Sequence, residues 1–219
     1  MFLQPPTIFF SNRMGFHTVK YTSDTSKHIT KKGRKIHMAY ISKKQQVLNI
    51  LADLQATITS RNVDIGINIL NWAKEKIILA EKESKRQYYL QKFPADTRNK
   101  PRVVKYGRVY GCNLGKNVGS EQNGKSRPVI VLQKDSPNSP TVIVAPLTDA
   151  HDANGNLKTI FPTHVLVQDP NLTKESIIKL EHMRSVSKNR LTEYMTDLSK
   201  NNNIMQEIEK KLKSMLRIK

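Results

Sequence analysis

The chain has 219 residues, with 37 Lys and Arg against 18 Asp and Glu, and its formal net charge is +19. Its single cysteine, Cys112, excludes an internal disulfide and fits a reducing cytoplasm. No apolar run approaches the roughly 20 residues that a membrane-spanning helix needs. The N-terminal "MFLQPPTIFFSNR" lacks a basic start and holds two prolines, so it does not read as a secretory signal. The positive excess is spread along the whole chain, which points to a polyanionic partner, nucleic acid first and an acidic protein second.

Residues 1–37 are basic, rich in Ser and Thr and without periodicity, and are expected to form a disordered basic tail. Residues 38–100 read as a helical region ending in a linker. Over 42–60, Val47, Ile50, Leu51, Leu54 and Ile58 recur at helical spacing. A second helix is expected over 64–91, with Leu70, Ala73, Ile77 and Ala80 on one side and Trp72 anchoring the helix pair. The stretch "FPADTRNKPR", 93–102, has two prolines and reads as a linker.

From Tyr106 the rhythm changes. The runs "RVYGCNL", "RPVIVLQ", "TVIVAPLT", "THVLVQ" and "SIIKLEHMRSV" are short, rich in β-branched residues and separated by Gly, Pro, Asn and Asp. They predict a small antiparallel barrel or sheet over 101–219. A last helix is expected after Ser199 as N-cap, with Met205, Ile208, Leu212 and Met215 on one face.

Residues 119–126, "GSEQNGKS", match G-x-x-x-x-G-K-[ST], the phosphate-binding loop of nucleotide hydrolases. Such a loop works by leading into a helix whose N-terminal amides hold the phosphates. Here "RPVIVLQKDSP" follows, a β-branched run closed by a second proline, so the loop leads into a strand and the match is accidental. Glu121, Gln122 and Asn123 are then the polar tip of a loop between strands, with Ser126 and Arg127 where it enters the second strand. Loops carried on a rigid sheet are where binding groups concentrate.

The series "GRVYGCNLGKNVGSEQNGKSRPVIVL", "SPTVIVAPLT", "FPTHVLV" and "ESIIKLEHMRSVSKNRL" resembles, in order and spacing, the MazF/PemK/Kid family of toxin endoribonucleases over about residues 105–218. The resemblance implies a mainly β fold, a small SH3-like antiparallel β-barrel with a C-terminal helix. In this chain that barrel is preceded by the helical region and the tail. It implies the toxin of a type II toxin–antitoxin system, a dimer that cleaves single-stranded RNA at short sequences in the cytoplasm, without a metal or other cofactor. It implies an acidic antitoxin as partner. Arg127 and Thr148 fall on the family's catalytic pair. Glu121 and Gln122 fall on its mobile loop, with Ser126 at the loop's end. Glu181, His182 and Arg184 fall on a motif in which a glutamine is expected where His182 stands. His164 and the residues just named are expected to contact RNA.

The chemistry is self-consistent. RNA supplies its own nucleophile, the 2′-OH, and a guanidinium is a planar clamp for the charge that builds on phosphorus. A threonine hydroxyl can bond a phosphoryl oxygen or orient the 2′-OH. His164 and His182 are proton-transfer candidates by residue type. His, Cys and carboxylate clusters at metal-ligand spacing are absent from the sequence. Two alternatives use the same residues: a toxin of this fold that binds gyrase and cleaves nothing, and a non-catalytic RNA-binding module.

Overall fold

The computed structural model describes residues 31–134 and 138–218. Of the expected tail, residues 1–30 lie outside the described residues. The chain divides into two compact units, Met1–Thr59 and Ser60–Lys219.

In the first unit helix α1 spans Lys31–Thr57, starting eleven residues before the apolar periodicity predicts. The periodic residues begin only at Val47. The Lys-, Arg-, Ala- and Met-containing stretch before it extends the helix on propensity, without an apolar stripe. Val47, Ile50, Leu51 and Leu54 are exposed.

The second unit opens with helix α2, Val63–Lys92. A 3-10 turn at Thr97–Asn99 follows, its first turn capped by the Asp96 carboxylate, which accepts from the Arg98 N–H. Seven strands come next: β1 Arg108–Cys112, β2 Arg127–Val131, β3 Thr141–Asp149, β4 His164–Val167, β5 Ser176–Lys179, β6 Arg184–Ser187 and β7 Leu191–Asp197. Helix α3 closes the chain at Asn202–Leu216.

All strand pairings are antiparallel, in the order β4-β5-β3-β2-β1-β7. Strand β3 is the hub. Its Val144–Pro146 stretch pairs with β2. Thr141–Val144 pairs with β6 and Leu147–Asp149 with β5. The expected run "SIIKLEHMRSV" is therefore two strands, divided by a 3-10 turn at Leu180–His182. The ladder does not close between β4 and β7 among the described residues. Side chains span the gap instead: Thr196 Oγ1 donates to Asp169 Oδ1 at 3.0 Å, and Asn171 Nδ2 reaches Thr196 Oγ1 at 3.4 Å.

Both faces of the central strands are buried, so β2 reads as a continuous apolar run rather than an alternating one. On one face Val109, Ile130, Ala145, Leu147, Val165 and Ile178 pack with Ile204, Met205 and Ile208 of α3. On the other, Tyr110, Cys112, Val129, Val131, Val142 and Val144 form a second cluster. The apolar stripe of α3 is as predicted, with Leu212 and Met215 against the first cluster. Its cap is not: Asn201, not Ser199, accepts from the Ile204 N–H. Ser199 is bound to Asp197 through both its N–H and its hydroxyl, in a separate 3-10 turn.

Trp72, expected to anchor the helix pair, packs on the sheet domain within the second unit. Its indole lies on Gly115, in the loop between β1 and β2, where a Cβ would come within 2.0 Å of the ring. The Arg190 guanidinium stacks over the ring at 5.1 Å from its centroid. An amphipathic helix meets whichever apolar surface the fold offers, and here that surface is a glycine flanked by an arginine.

Candidate functional site

The β2–β3 register, Val131 opposite Val144, Ile130 opposite Ala145 and Val129 opposite Pro146, sets Arg127 opposite Thr148 when carried two residues further. Residues facing each other across a ladder point to the same side of the sheet. Arg127 and Thr148 are therefore neighbours on the face of the second cluster, at the end of the two strands where the 113–126 loop enters. Arg127 Nε donates to the Asn123 carbonyl at 2.5 Å, and Nη1 reaches the Leu147 carbonyl at 3.5 Å. Thr148 Oγ1 is buried and has no hydrogen-bond partner. Buried hydroxyls are almost always paired, and an orphan points to a state in which something else binds it.

Ser126 stands at φ +49°, a left-handed conformation rare outside glycine. Its hydroxyl bonds Glu193 Oε1 at 2.7 Å and Thr192 Oγ1 at 2.9 Å, both on β7. Strain of this kind persists where the surroundings over-determine it, and it gathers at working sites. Here it fixes the angle at which the chain delivers Arg127. The neck of the loop is closed by Gly115 and Gly124, which exchange backbone bonds of 2.9 and 3.2 Å. Glu121 is exposed at the tip. The Gln122 carbonyl accepts from Asn117 Nδ2 at 2.7 Å.

His164, Glu181 and His182 form a second cluster. His164 lies on the same face as Thr148, two strands over, a lateral separation on the order of 10 Å. It is 2% exposed. Its Nδ1 accepts from the Phe161 N–H at 3.2 Å, so Nε2 carries the proton and donates to Glu181 Oε1 at 2.9 Å. Both ring nitrogens are thus occupied, and the group suited by residue type to proton transfer is built in as a structural bond. His182 Nε2 is 3.7 Å from the same Glu181 oxygen. Burial pushes the His182 pKa down, and only Glu181 opposes it, so the ring is neutral near pH 7. Burial works to raise the pKa of Glu181, but bonds from Thr163, its own backbone N–H and His164 outweigh it, and the net direction is down. Arg184 faces Val144 across the β3–β6 ladder, on the side of Arg127 and Thr148.

Three residues outside these expectations shape the site. Glu75 of α2 accepts from Lys125 Nζ at 2.5 Å and from Asn113 Nδ2 at 2.6 Å. Trp72 covers Gly115. Arg190 donates to the carbonyls of Asn113 and Leu114 at 2.7 and 2.6 Å. The helical pattern signals that α2 exists, but nothing local signals that it meets a loop some forty residues on.

An arginine fork thus stands beside an unpaired hydroxyl, next to a glycine-necked loop. Residues 105–216 match the family described as PemK-like, MazF-like toxin of type II toxin–antitoxin system, and the chain belongs to that family. It is 44% identical over 101 residues to Endoribonuclease MazF of Staphylococcus epidermidis, covering 44% of this chain and 79% of that protein. The Endoribonuclease MazF of Staphylococcus saprophyticus is 43% identical over the same length and coverage. Among solved structures, MazF (Form-I) of Deinococcus radiodurans is 21% identical, with a TM-score of 0.41 over 53% of this chain and 99% of that one.

Proposed function

We propose that this toxin is a metal-independent, sequence-selective endoribonuclease that cleaves single-stranded RNA through the RNA's own 2′-OH, with Arg127 and Thr148 as its reacting groups. Membership of the toxin family and 43–44% identity to proteins named endoribonuclease support the activity. The observation that supports the residues is the reach of Arg127 Nη1 to the carbonyl of Leu147, next to a Thr148 hydroxyl that is buried and unbonded.

The 2′-oxygen attacks the adjacent phosphorus, and the P–O5′ bond breaks as the 2′,3′-cyclic phosphate forms. Negative charge grows on the non-bridging oxygens. Arg127 offers a planar pair of N–H donors to that charge. The Thr148 hydroxyl donates a further bond that costs no reorganisation at the moment of reaction. The proton lost from the 2′-OH and the one gained by O5′ balance, leaving a 5′-hydroxyl on the second fragment. Glu121, Gln122, Ser126, His164, Glu181, His182 and Arg184 line or support the RNA path on either side of the pair. His164 acts through Glu181 rather than on the substrate.

The partners that fit are single-stranded RNA, an acidic antitoxin that competes with it for the same basic face, and a second copy of the chain. The toxin–antitoxin family supports the antitoxin. Among the described residues no helix is long and apolar enough to cross a membrane. A cytoplasmic site of action is the reading that matches a free, buried cysteine and an RNA substrate.

The test is incubation of the purified protein with mixed RNA in EDTA, followed by mapping of the new ends. New 5′-hydroxyl ends at a short common sequence, and resistance of a substrate with 2′-deoxyribose at that position, are expected. Equal cutting of the 2′-deoxy substrate overturns the mechanism.

A further inference from the structure

The 113–126 loop is held shut from outside the toxin domain. Arg127 donates to Asn123 of that loop, and the Thr148 hydroxyl beside it is buried. A phosphate that takes the Arg127 Nε–H must displace the loop's Asn123 carbonyl. The loop's two ends, however, are gripped by one side chain. Glu75 takes Asn113 at one end through Oε2 and Lys125 at the other through Oε1. Trp72, one helical turn before it, sits on Gly115. Bonds from Lys125 first and Asn113 second hold the Glu75 carboxylate below the usual range, so it is charged. It lines a cleft of about 630 Å³ whose other walls include Lys74, Lys116, Lys125 and Asn123. The Lys125 ammonium and the Asn113 amide N–H on this carboxylate, in a cleft also lined by Lys74 and Lys116, make a site for an anion with oxygen acceptors, and a phosphate diester has that chemistry.

We propose that Glu75 occupies an RNA-phosphate site in cis, and that α2 thereby straps the 113–126 loop closed over Arg127 and Thr148 until RNA displaces the carboxylate. This rests on the reading of the chain as an RNA-cleaving toxin, but its sign is its own. Substrate and strap compete for the same donors, Lys125 and Asn113. Loosening the strap therefore eases binding and leaves the chemical step alone.

The test uses the full chain and Glu75→Gln, which keeps the side chain's shape and removes its charge. Affinity is measured against a 2′-O-methyl RNA, which cannot be cut, over a range of salt concentrations. Glu75→Gln is expected to bind about fivefold more tightly at low salt, the scale of one released, partly exposed ion pair. Its salt slope should steepen by about 0.7 for the one extra phosphate that Lys125 then neutralises. On cleavable RNA, KM should fall with kcat unchanged. Adding Lys125→Ala should erase the gain. Unchanged or weaker binding by Glu75→Gln, or a fall in its kcat, overturns the proposal. If no variant cuts RNA but Glu75→Gln still binds more tightly, the cleavage reading fails and the strap stands.

Discussion

Arg127 and Thr148 each lie two residues past the last β2–β3 ladder pair, Val129 opposite Pro146, one tied to the carbonyl of Asn123 and the other with its hydroxyl unpaired in the interior. The two differ in what they give to the fold. Thr148→Val keeps the shape and removes an orphan hydroxyl, so stability should hold or rise by up to about 1 kcal/mol. Activity should fall by about 10²–10³, the cost of one preorganised donor. Thermal melting and single-turnover cleavage measured together check this pairing of gain and loss.

Arg127→Ala should lose more activity than Thr148→Val, since it removes a charge as well as two donors. Arg127→Lys should restore little of it, because an ammonium is not a planar fork. Initial rates on one defined oligoribonucleotide give the order directly, and full activity of Arg127→Ala would refute the assignment.

Gly115 is required twice over. Its φ is +78°, and a Cβ would come within 2.0 Å of the Trp72 ring. Gly115→Ala should cost at least about 2 kcal/mol. Combining it with Trp72→Ala should recover part of that loss but not the backbone share. A double-mutant cycle by denaturant unfolding measures the coupling.

His182 sets an acid limit on stability. Its folded pKa lies below the ordinary value of 6.5, with burial the first cause. The native state therefore binds fewer protons than the unfolded chain in this range. The stabilisation is present above pH 6.5 and is lost as the pH falls through the folded value. His182→Gln should flatten the fall in melting temperature as the pH drops below 6.5, while the carboxylate losses at lower pH persist.

Asn201→Ala should cost about 1 kcal/mol, as loss of a helix N-cap does. Ser199→Ala should cost less, since Ser199 caps nothing in α3 and its N–H bond to Asp197 survives. Chemical denaturation of the two variants side by side decides between the two caps.

The parts legible in the sequence are those that local chemistry dictates. The β-branched run after Arg127 gives a strand, which is why "GSEQNGKS" is not a phosphate-binding loop. The motif order places Arg127 and Thr148. Their approach at one end of the β2–β3 ladder is a matter of register, which no single stretch encodes. Strand β7, "LTEYMTD", is missed because it is a terminal strand with only Leu191 and Thr196 buried, so its apolar signal is thin. The break in "SIIKLEHMRSV" is invisible for a different reason. Leu180 is buried like its strand neighbours, and only the need of β5 and β6 to pair with different parts of β3 exposes the turn. Glu75 and Trp72 were out of reach because their partners lie about forty residues away and on another kind of element.

Family likeness begins at residue 105, but the compact unit begins at Ser60. The evolutionary module and the folding module therefore have different edges. A chain trimmed to the module its relatives share would leave a scar: Gly115 without its indole, Asn113 and Lys125 without their carboxylate, Asn189 without Glu83 at 2.7 Å. Helix α2 lies outside the stretch its relatives share, yet it holds the loop that leads into Arg127, so that loop cannot be considered without it.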